Sequence, residues 1–271
     1  MLYWSYSEKS GERIMKRIES LQNSLVKHWK KLSTTRKERG KFGEFLIEGF
    51  HLTEEALNKK DGIKGLIVRE GTDIPDAWDI EGLELYVVTA QIAKEIAETE
   101  HTQGIFAHCT QLEYDESIQK QWQTLLLIDA VQDPGNVGTM IRTAAAAGID
   151  AVVLGKGSAD AYNPKTVRSA QGAHFQVPIV KGDLFDWVER LKSRDISVYG
   201  TALYQSVPMY EAESKERFAL IVGNEGSGVE PQLLEQTDQN LMVPLYGPAE
   251  SLNVAVATGI LLYSLVPKTG V

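Results

Sequence analysis

Two loops rich in glycine and polar residues, near the C-terminus, carry the residue types best suited to holding a small molecule. The first is Gly223-Asn224-Glu225-Gly226-Ser227-Gly228, directly after the apolar run Ala219–Val222. The second, Tyr246–Glu250, follows the apolar run Leu241–Leu245 and leads into Ser251. Serine is a helix-capping type, and an apolar helix is expected from Leu252 to Leu265. Short apolar runs bounded by such loops read as buried strands. Loops at strand C-termini are where an open α/β sheet holds a ligand. Glycine there lets the backbone approach a ligand without interference from a Cβ.

At these residues the chain resembles a known family. GNEGSG, then VPLYGPAESLNVAVATG, resemble the second and third motifs of the SpoU-type RNA ribose 2′-O-methyltransferases of the SPOUT class. The family's first motif is an Asn followed six residues later by an Arg, behind a strand. LLLIDAVQDPGNVGTMIRTAAAAG supplies Asn136 and Arg142 behind the apolar run Leu125–Ala130. The three motifs stand in family order. The resemblance implies S-adenosylmethionine as methyl donor, with Gly223, Val243 and Leu252 at cofactor-contacting positions. It also implies a trefoil-knotted methyltransferase domain, which general topology rules give almost no reason to expect. Asn136, Arg142, Glu225, Ser251 and Asn253 match the family's functional positions without substitution. Each has a plainer reading: a helix cap for Asn136 and Ser251, an exposed loop carboxylate for Glu225. Those readings do not explain five polar residues in three matching contexts.

Methyl transfer to a ribose 2′-hydroxyl needs the donor held in line, the hydroxyl proton removed and the RNA phosphates fixed. The family's arginine is often described as the base. A guanidinium stays charged in proteins, so Arg142 better suits binding the 2′-oxygen and a flanking phosphate as negative charge develops. A neighbouring phosphate or water then takes the proton.

With 271 residues, 43% hydrophobic and 24% charged, the chain has room for one large or two ordinary globular domains. No apolar run reaches the ~18 residues a membrane helix needs, and the start lacks the pattern of a signal peptide. The single cysteine, Cys109, excludes an internal disulfide, suits a cytoplasmic location and reads as a small buried hydrophobe. A net charge of −9 argues at first against a polyanionic partner, but its distribution reverses that. Lys9 to Lys41 holds eleven Lys or Arg and three Glu, a net +8 that leaves −17 elsewhere. The cluster VKHWKKLSTTRKERGKFGEF, with Trp29 and Phe42 interleaved, is the usual footprint of nucleic-acid contact. Lys30, Lys31, Arg36, Lys37 and Arg39 are the candidate phosphate ligands, the alternative being a solvated helix face. The histidines have no metal-ligand spacing, and no structural metal is expected.

Met15 is a second natural start. Codons for Gly11-Glu12 can form a purine run of the kind that recruits bacterial ribosomes, separated from Met15 only by Arg13 and Ile14. The native protein is therefore expected to begin at Met15, with residues 1–14 poorly ordered, the alternative being a genuine, partly ordered N-terminal arm. A helix is predicted from Ile14 to Leu32, then a basic loop Ser33–Gly43 and a strand Glu44–Glu48. A helix His51–Asn58, strands Gly65–Val68 and Leu83–Val88, a helix Ala90–Glu98 and a strand Gln103–Ala107 follow. This order, with FLIEG behind its arginines, resembles the ribosomal-protein-like RNA-binding domain that precedes many SpoU-type catalytic domains. The expected division is an RNA-binding domain over 15–112, a linker over 113–123 and the methyltransferase domain over 124–271. Downstream, Asn163 is expected to cap a helix carrying Lys165 and Arg168, which resemble a family segment near the RNA path.

The fold is thus expected to be α/β in both domains. The function is expected to be methyl transfer to ribosomal RNA by a cytoplasmic homodimer. Its rivals are a tRNA ribose 2′-O-methyltransferase and a catalytically silent RNA-binding protein on the same scaffold. A plain dinucleotide-binding enzyme is disfavoured, because neither GNEGSG nor DPGNVG has the required glycine spacing behind the first strand.

Overall fold

The computed structural model describes residues 15–60 and 62–267. The expectation for residues 1–14 lies outside them. Two compact units meet in sequence between Gln111 and Leu112.

The first unit is a five-stranded mixed sheet with helices packed on it. Its elements are β1 (Met15–Ile18), α1 (Ser24–Thr34), α2 (Arg36–Phe42), β2 (Glu44–Glu48), α3 (Phe50–Lys59), β3 (Ile63–Arg69), β4 (Glu84–Val88), α4 (Ala90–Ile96) and β5 (Ile105–Thr110). The strand order is β1-β4-β3-β5-β2, parallel from β1 to β3 and antiparallel at β5 and β2. The helix predicted over Ile14–Leu32 is corrected: its described part is an edge strand, a turn and a shorter helix. Ile18 pairs with Val88, the Ser20 side chain accepts from the Gln22 amide, and Asn23 caps α1 through the Leu25 amide. The basic loop Ser33–Gly43 is also corrected. Most of it is the helix α2, ended by Gly43 at φ 63°.

Folding redistributes the basic cluster. Trp29 is fully buried and packs edge-on against Tyr86, so it belongs to the core and not to an RNA surface. Arg39 is 2% exposed and donates to the Leu32 carbonyl at 2.6 Å and the Ser33 carbonyl at 3.4 Å. Its assignment as a phosphate ligand is therefore corrected: it satisfies carbonyls at the end of α1. Lys30 is ion-paired with Glu95, and Lys31 lies 4.0 Å from Glu38. Arg36 and Lys37 are exposed.

Histidines distant in sequence meet on one carboxylate. The Nε2 atoms of His28 and His108 lie 2.6 and 2.9 Å from Glu44 Oε2, and Lys64 donates to Oε1. Trp29 Nε1 donates to His108 Nδ1, so the His108 Nε2 carries the proton given to Glu44. Burial pushes the Glu44 carboxyl up. Hydrogen bonds from Lys64, His28 and His108 together outweigh it and bring the group from 4.5 to about 2.

The second unit is built on a seven-stranded sheet in which every pairing is parallel. Its elements are α5 (Glu116–Gln119), β6 (Thr124–Ile128), α6 (Pro134–Ala146), β7 (Ala151–Leu154), α7 (Pro164–Ala170), β8 (Ile179–Lys181), α8 (Leu184–Lys192), β9 (Ser197–Thr201), β10 (Val207–Pro208), β11 (Phe218–Val222), α9 (Pro231–Leu234), β12 (Gln239–Met242) and α10 (Val254–Leu265). Central strands such as FALIV, and TLLLI after its first residue, are apolar because helices cover both faces of a parallel sheet. The order β10-β12-β9-β11-β6-β7-β8 places β6 and β11 side by side. From β6 the chain runs to β7 on one side, and from β11 it runs to β12 beyond β9 on the other. The two loops that leave β6 and β11 therefore diverge at a topological switch point, where such sheets bind ligands. β12 lies between β9 and β10, strands consecutive in the chain, so the connection 202–206 crosses from one side of β12 to the other.

The Glu44 cluster gives a pH-dependent expectation. With its folded value depressed, Glu44 contributes stability that is complete above pH 4.5 and is lost as pH falls through about 2. Glu44→Gln should cost on the order of 2–3 kcal/mol at neutral pH and flatten the acid limb of a urea-denaturation series. Parallel acid limbs in the two proteins would place that stabilisation elsewhere.

Candidate active site

The switch point is assembled by short polar contacts between segments about a hundred residues apart. Asp133, not Asn136, caps α6: its side chain accepts from the Asn136 amide at 2.9 Å, with Pro134 at the first helical position. Asn136 sits on the first turn, its side-chain amide used at both ends. Its Nδ2 donates to Glu225 Oε1 at 3.0 Å, and its Oδ1 accepts from Asn253 Nδ2 at 2.9 Å. Glu225 also accepts from the backbone amides of Gln132 and Asp133, each at 3.2 Å. Asn253 in turn caps α10, accepting from the amides of Ala255 and Val256. The cap expected at Ser251 is thus corrected to Asn253; Ser251 is exposed in the loop before it. Glu225, Asn136 and Asn253, one from each motif, form a single relay.

The loop after β11 closes on itself. Asn224 and Gly228 exchange two backbone hydrogen bonds of 3.0 Å, and the Asn224 side chain accepts from the amides of Gly226 and Ser227. Its Nδ2 donates to the Ala130 carbonyl at 2.8 Å, tying this loop to the one after β6. Gly223 makes the closure feasible: a Cβ there would lie 2.1 Å from Val229 N and 2.4 Å from Gly228 O, and neither backbone atom can yield. Asp129 supports the far end by accepting from the Glu230 amide at 2.8 Å. Gly138 plays a like part between helices, where a Cβ would lie 2.4 Å from Thr166 O, so α6 and α7 lie in close contact.

Arg142 lies on α6 six residues beyond Asn136, roughly 9 Å along the axis, and is exposed. Lys165, on the first turn of α7, donates to Asp133 Oδ2 at 2.7 Å and so joins the edge of the relay, while Asn163 caps α7 as expected. β12 ends at Met242, three residues earlier than predicted, which leaves Val243 half-buried just past the strand. Leu252, at 36%, and Leu245, also at 36%, are exposed apolar side chains on the same loop. The relay thus joins Glu225, Asn136 and Asn253. Ser251, Val243 and Leu252 lie on the neighbouring loop with no side-chain bond to it in the contacts described.

Burial raises the Glu225 carboxyl, but hydrogen bonds from Asn136 and from backbone amides outweigh it and hold the group below the ordinary glutamate value. A carboxylate so held is a weak proton acceptor, so Glu225 serves by orienting Asn136. Asp133 is held low chiefly by its bond from Lys165. Asp129, Asp133 and Asn224 were missed in the sequence. The Asp133-Pro134 pair was a readable helix start, whereas nothing local marked Asn224 as the link between two loops.

A parallel α/β sheet with a polar relay at its switch point defines a small-molecule-binding enzyme domain, and comparison with known proteins supplies the family. Residues 123–263 match the SpoU rRNA Methylase family, and residues 23–107 match an MRM3-like substrate binding domain. The chain belongs to the SpoU rRNA methylase family. It is 54% identical over 252 residues to the 23S rRNA (guanosine(2553)-2′-O)-methyltransferase of Bacillus subtilis, covering 93% of this chain and 99% of that one. It is 30% identical to the 23S rRNA (uridine(2479)-2′-O)-methyltransferase of Streptomyces viridochromogenes, covering 94% of each. Among solved structures it resembles an AdoMet-bound rRNA methyltransferase from Sinorhizobium meliloti, with a TM-score of 0.82 at 29% identity, covering 93% of this chain and 97% of the other.

The relay can be tested with a near-isosteric change. Asn136→Asp removes the donor to Glu225 and sets two carboxylates in contact. It should destabilise the second unit by about 1–3 kcal/mol at pH 7, more than Asn136→Ala. Thermal unfolding should show that gap closing near pH 4 as the carboxylates protonate. Equal losses at both pH values would mean that no repulsion is present.

Proposed function

We propose that this chain transfers the methyl group of S-adenosylmethionine to a ribose 2′-hydroxyl of 23S ribosomal RNA, at the guanosine corresponding to that in the Bacillus subtilis relative's name. The observation that carries the proposal is the Glu225–Asn136–Asn253 relay, which fixes all three motif segments around the switch point while leaving Arg142 exposed on the same helix. The residues suit the cofactor. Leu245 and Leu252 offer apolar surface for an adenine ring, and the closed loop after Gly223 offers a rigid backbone edge. S-adenosylmethionine supplies an electrophilic methyl on a sulfonium. The chain's residues then act by position. Val243, Leu252 and the Gly223 loop hold the donor, and the relay keeps the Gly223 and Ser251 loops in register. Arg142 binds the 2′-oxygen as negative charge grows, together with a flanking phosphate. The proton leaves to water or to a phosphate of the RNA.

In this reading residues 15–112 bind RNA, 113–123 link, and 124–271 form the methyltransferase domain, with the chain leaving β12 threaded as a trefoil knot. The placement of β12 between two consecutive strands supports the knot. A ribosomal RNA substrate supports a cytoplasmic location; among the described residues no helix is long and apolar enough to cross a membrane. The protein acts as a homodimer. α10 turns Ala255, Thr258, Leu261, Leu262 and Leu265 inward, yet leaves Val256 52% and Tyr263 59% exposed, with Ile260 on the same stripe. Such a stripe fits a two-fold contact.

Two measurements follow from this mechanism. Arg142→Lys keeps the charge but loses the planar fork. Single-turnover methylation should fall on the order of a hundredfold or more, while S-adenosylmethionine and RNA binding by calorimetry stay near normal. Near-normal turnover would remove Arg142 from the mechanism. Light scattering at micromolar concentration should give twice 30.0 kDa, and Val256→Glu should shift the mass toward the monomer; a monomeric wild type would sink the dimer.

A further inference from the structure

The basic stretch keeps one aromatic at the surface after Trp29 has gone into the core. Phe42, the last residue of α2, is 46% exposed. The His28 ring stands at 83° to it with centroids 4.8 Å apart, and Lys41 Nζ lies 4.9 Å from its centroid. His28 is itself fixed by Glu44, which His108 and Lys64 hold from other strands. Phe42 therefore leans on an imidazole that is anchored in the sheet, and its orientation is set before any ligand arrives. Lys27, Lys37 and Lys41 are exposed on the same two helices. Lys37 and Lys41 are one turn apart on α2 and share a face.

A flat apolar ring with one ammonium group against it and further lysines exposed on the same helices matches one chemistry well: a nucleobase on the ring with its phosphates on the lysines. The exposed Lys27, Lys37 and Lys41 on these two helices favour this over an apolar protein partner. A paired base offers no free face, so the ligand must be unpaired. We propose that Phe42 is a stacking platform for an unpaired nucleotide of the RNA substrate, with Lys37 and Lys41 on its flanking phosphates. The proposal rests on the RNA-substrate reading above and adds to it the place and the kind of contact.

The full chain is titrated by fluorescence anisotropy with a labelled single-stranded RNA and with the same strand annealed as a duplex, over a series of salt concentrations. Phe42→Leu keeps apolar packing against His28 but removes the aromatic face. It should weaken single-strand binding about fivefold or more, leave duplex binding unchanged and leave the log–log salt slope unchanged. Lys37→Gln should instead lower that slope by about one unit. Phe42→Trp should retain affinity, and its added indole emission should be quenched by the single strand but not by the duplex. Unchanged single-strand binding in Phe42→Leu, equal losses on both RNAs, or an unquenched indole overturns the platform alone. A wild-type chain that binds neither RNA overturns the RNA-substrate reading with it.

Discussion

The side-chain amide of Asn136 is the contact on which the proposed active site depends. One end donates to Glu225 and the other accepts from Asn253, so a single planar group sets the spacing between three chain segments. Each neighbour has a second backbone duty. Glu225 receives the amides of the loop after β6, and Asn253 caps α10. Moving any one of these side chains would strand backbone donors as well as the amide. Hydrogen bonds arranged in this way are costly to break singly, because the groups left behind lose their partners.

The relay has this effect because of where the sheet places it. β6 and β11 are hydrogen-bonded neighbours along five residues each, and their following chains leave in opposite directions. The opening between them is a consequence of strand order. What the polar residues add is rigidity: Asn224 crosses to the Ala130 carbonyl, and Gly223 allows a backbone return that no other residue could accommodate. Loops that need glycine and asparagine for packing are also the loops that resemble ligand-binding motifs, so in the proposed function the structural and functional roles of these residues coincide.

In the first unit the governing interaction is made by one carboxylate. Glu44 gathers His28, His108 and Lys64 at the sheet surface and thereby fixes α1 against β2 and β5. The cluster shows why a count of positive charge overstates an RNA-binding surface. Of the five cations singled out in the sequence, Arg39 serves helix carbonyls, and Lys30 and Lys31 face Glu95 and Glu38. Side chains that look equivalent in a basic run are sorted by which side of the helix they occupy.

The sequence by itself determined the α/β class and the identity of the three motif segments. Those features are local: apolar runs of strand length, helix-period patterns and glycine-rich loops are written within ten or so consecutive residues. It also located β2 to the residue, at Glu44–Glu48. Only the tertiary structure decided that Met15–Ile18 is a strand, because an edge strand earns its stability from pairing with β4 and not from its own pattern. It alone decided that Asn253 caps α10 in place of Ser251, that Trp29 and Arg39 are internal, and that Asn136 touches both Glu225 and Asn253. The packing of Trp29 on Tyr86 and the two contacts of Asn136 join residues tens to more than a hundred positions apart, and such contacts exist only once the sheet has brought their segments side by side.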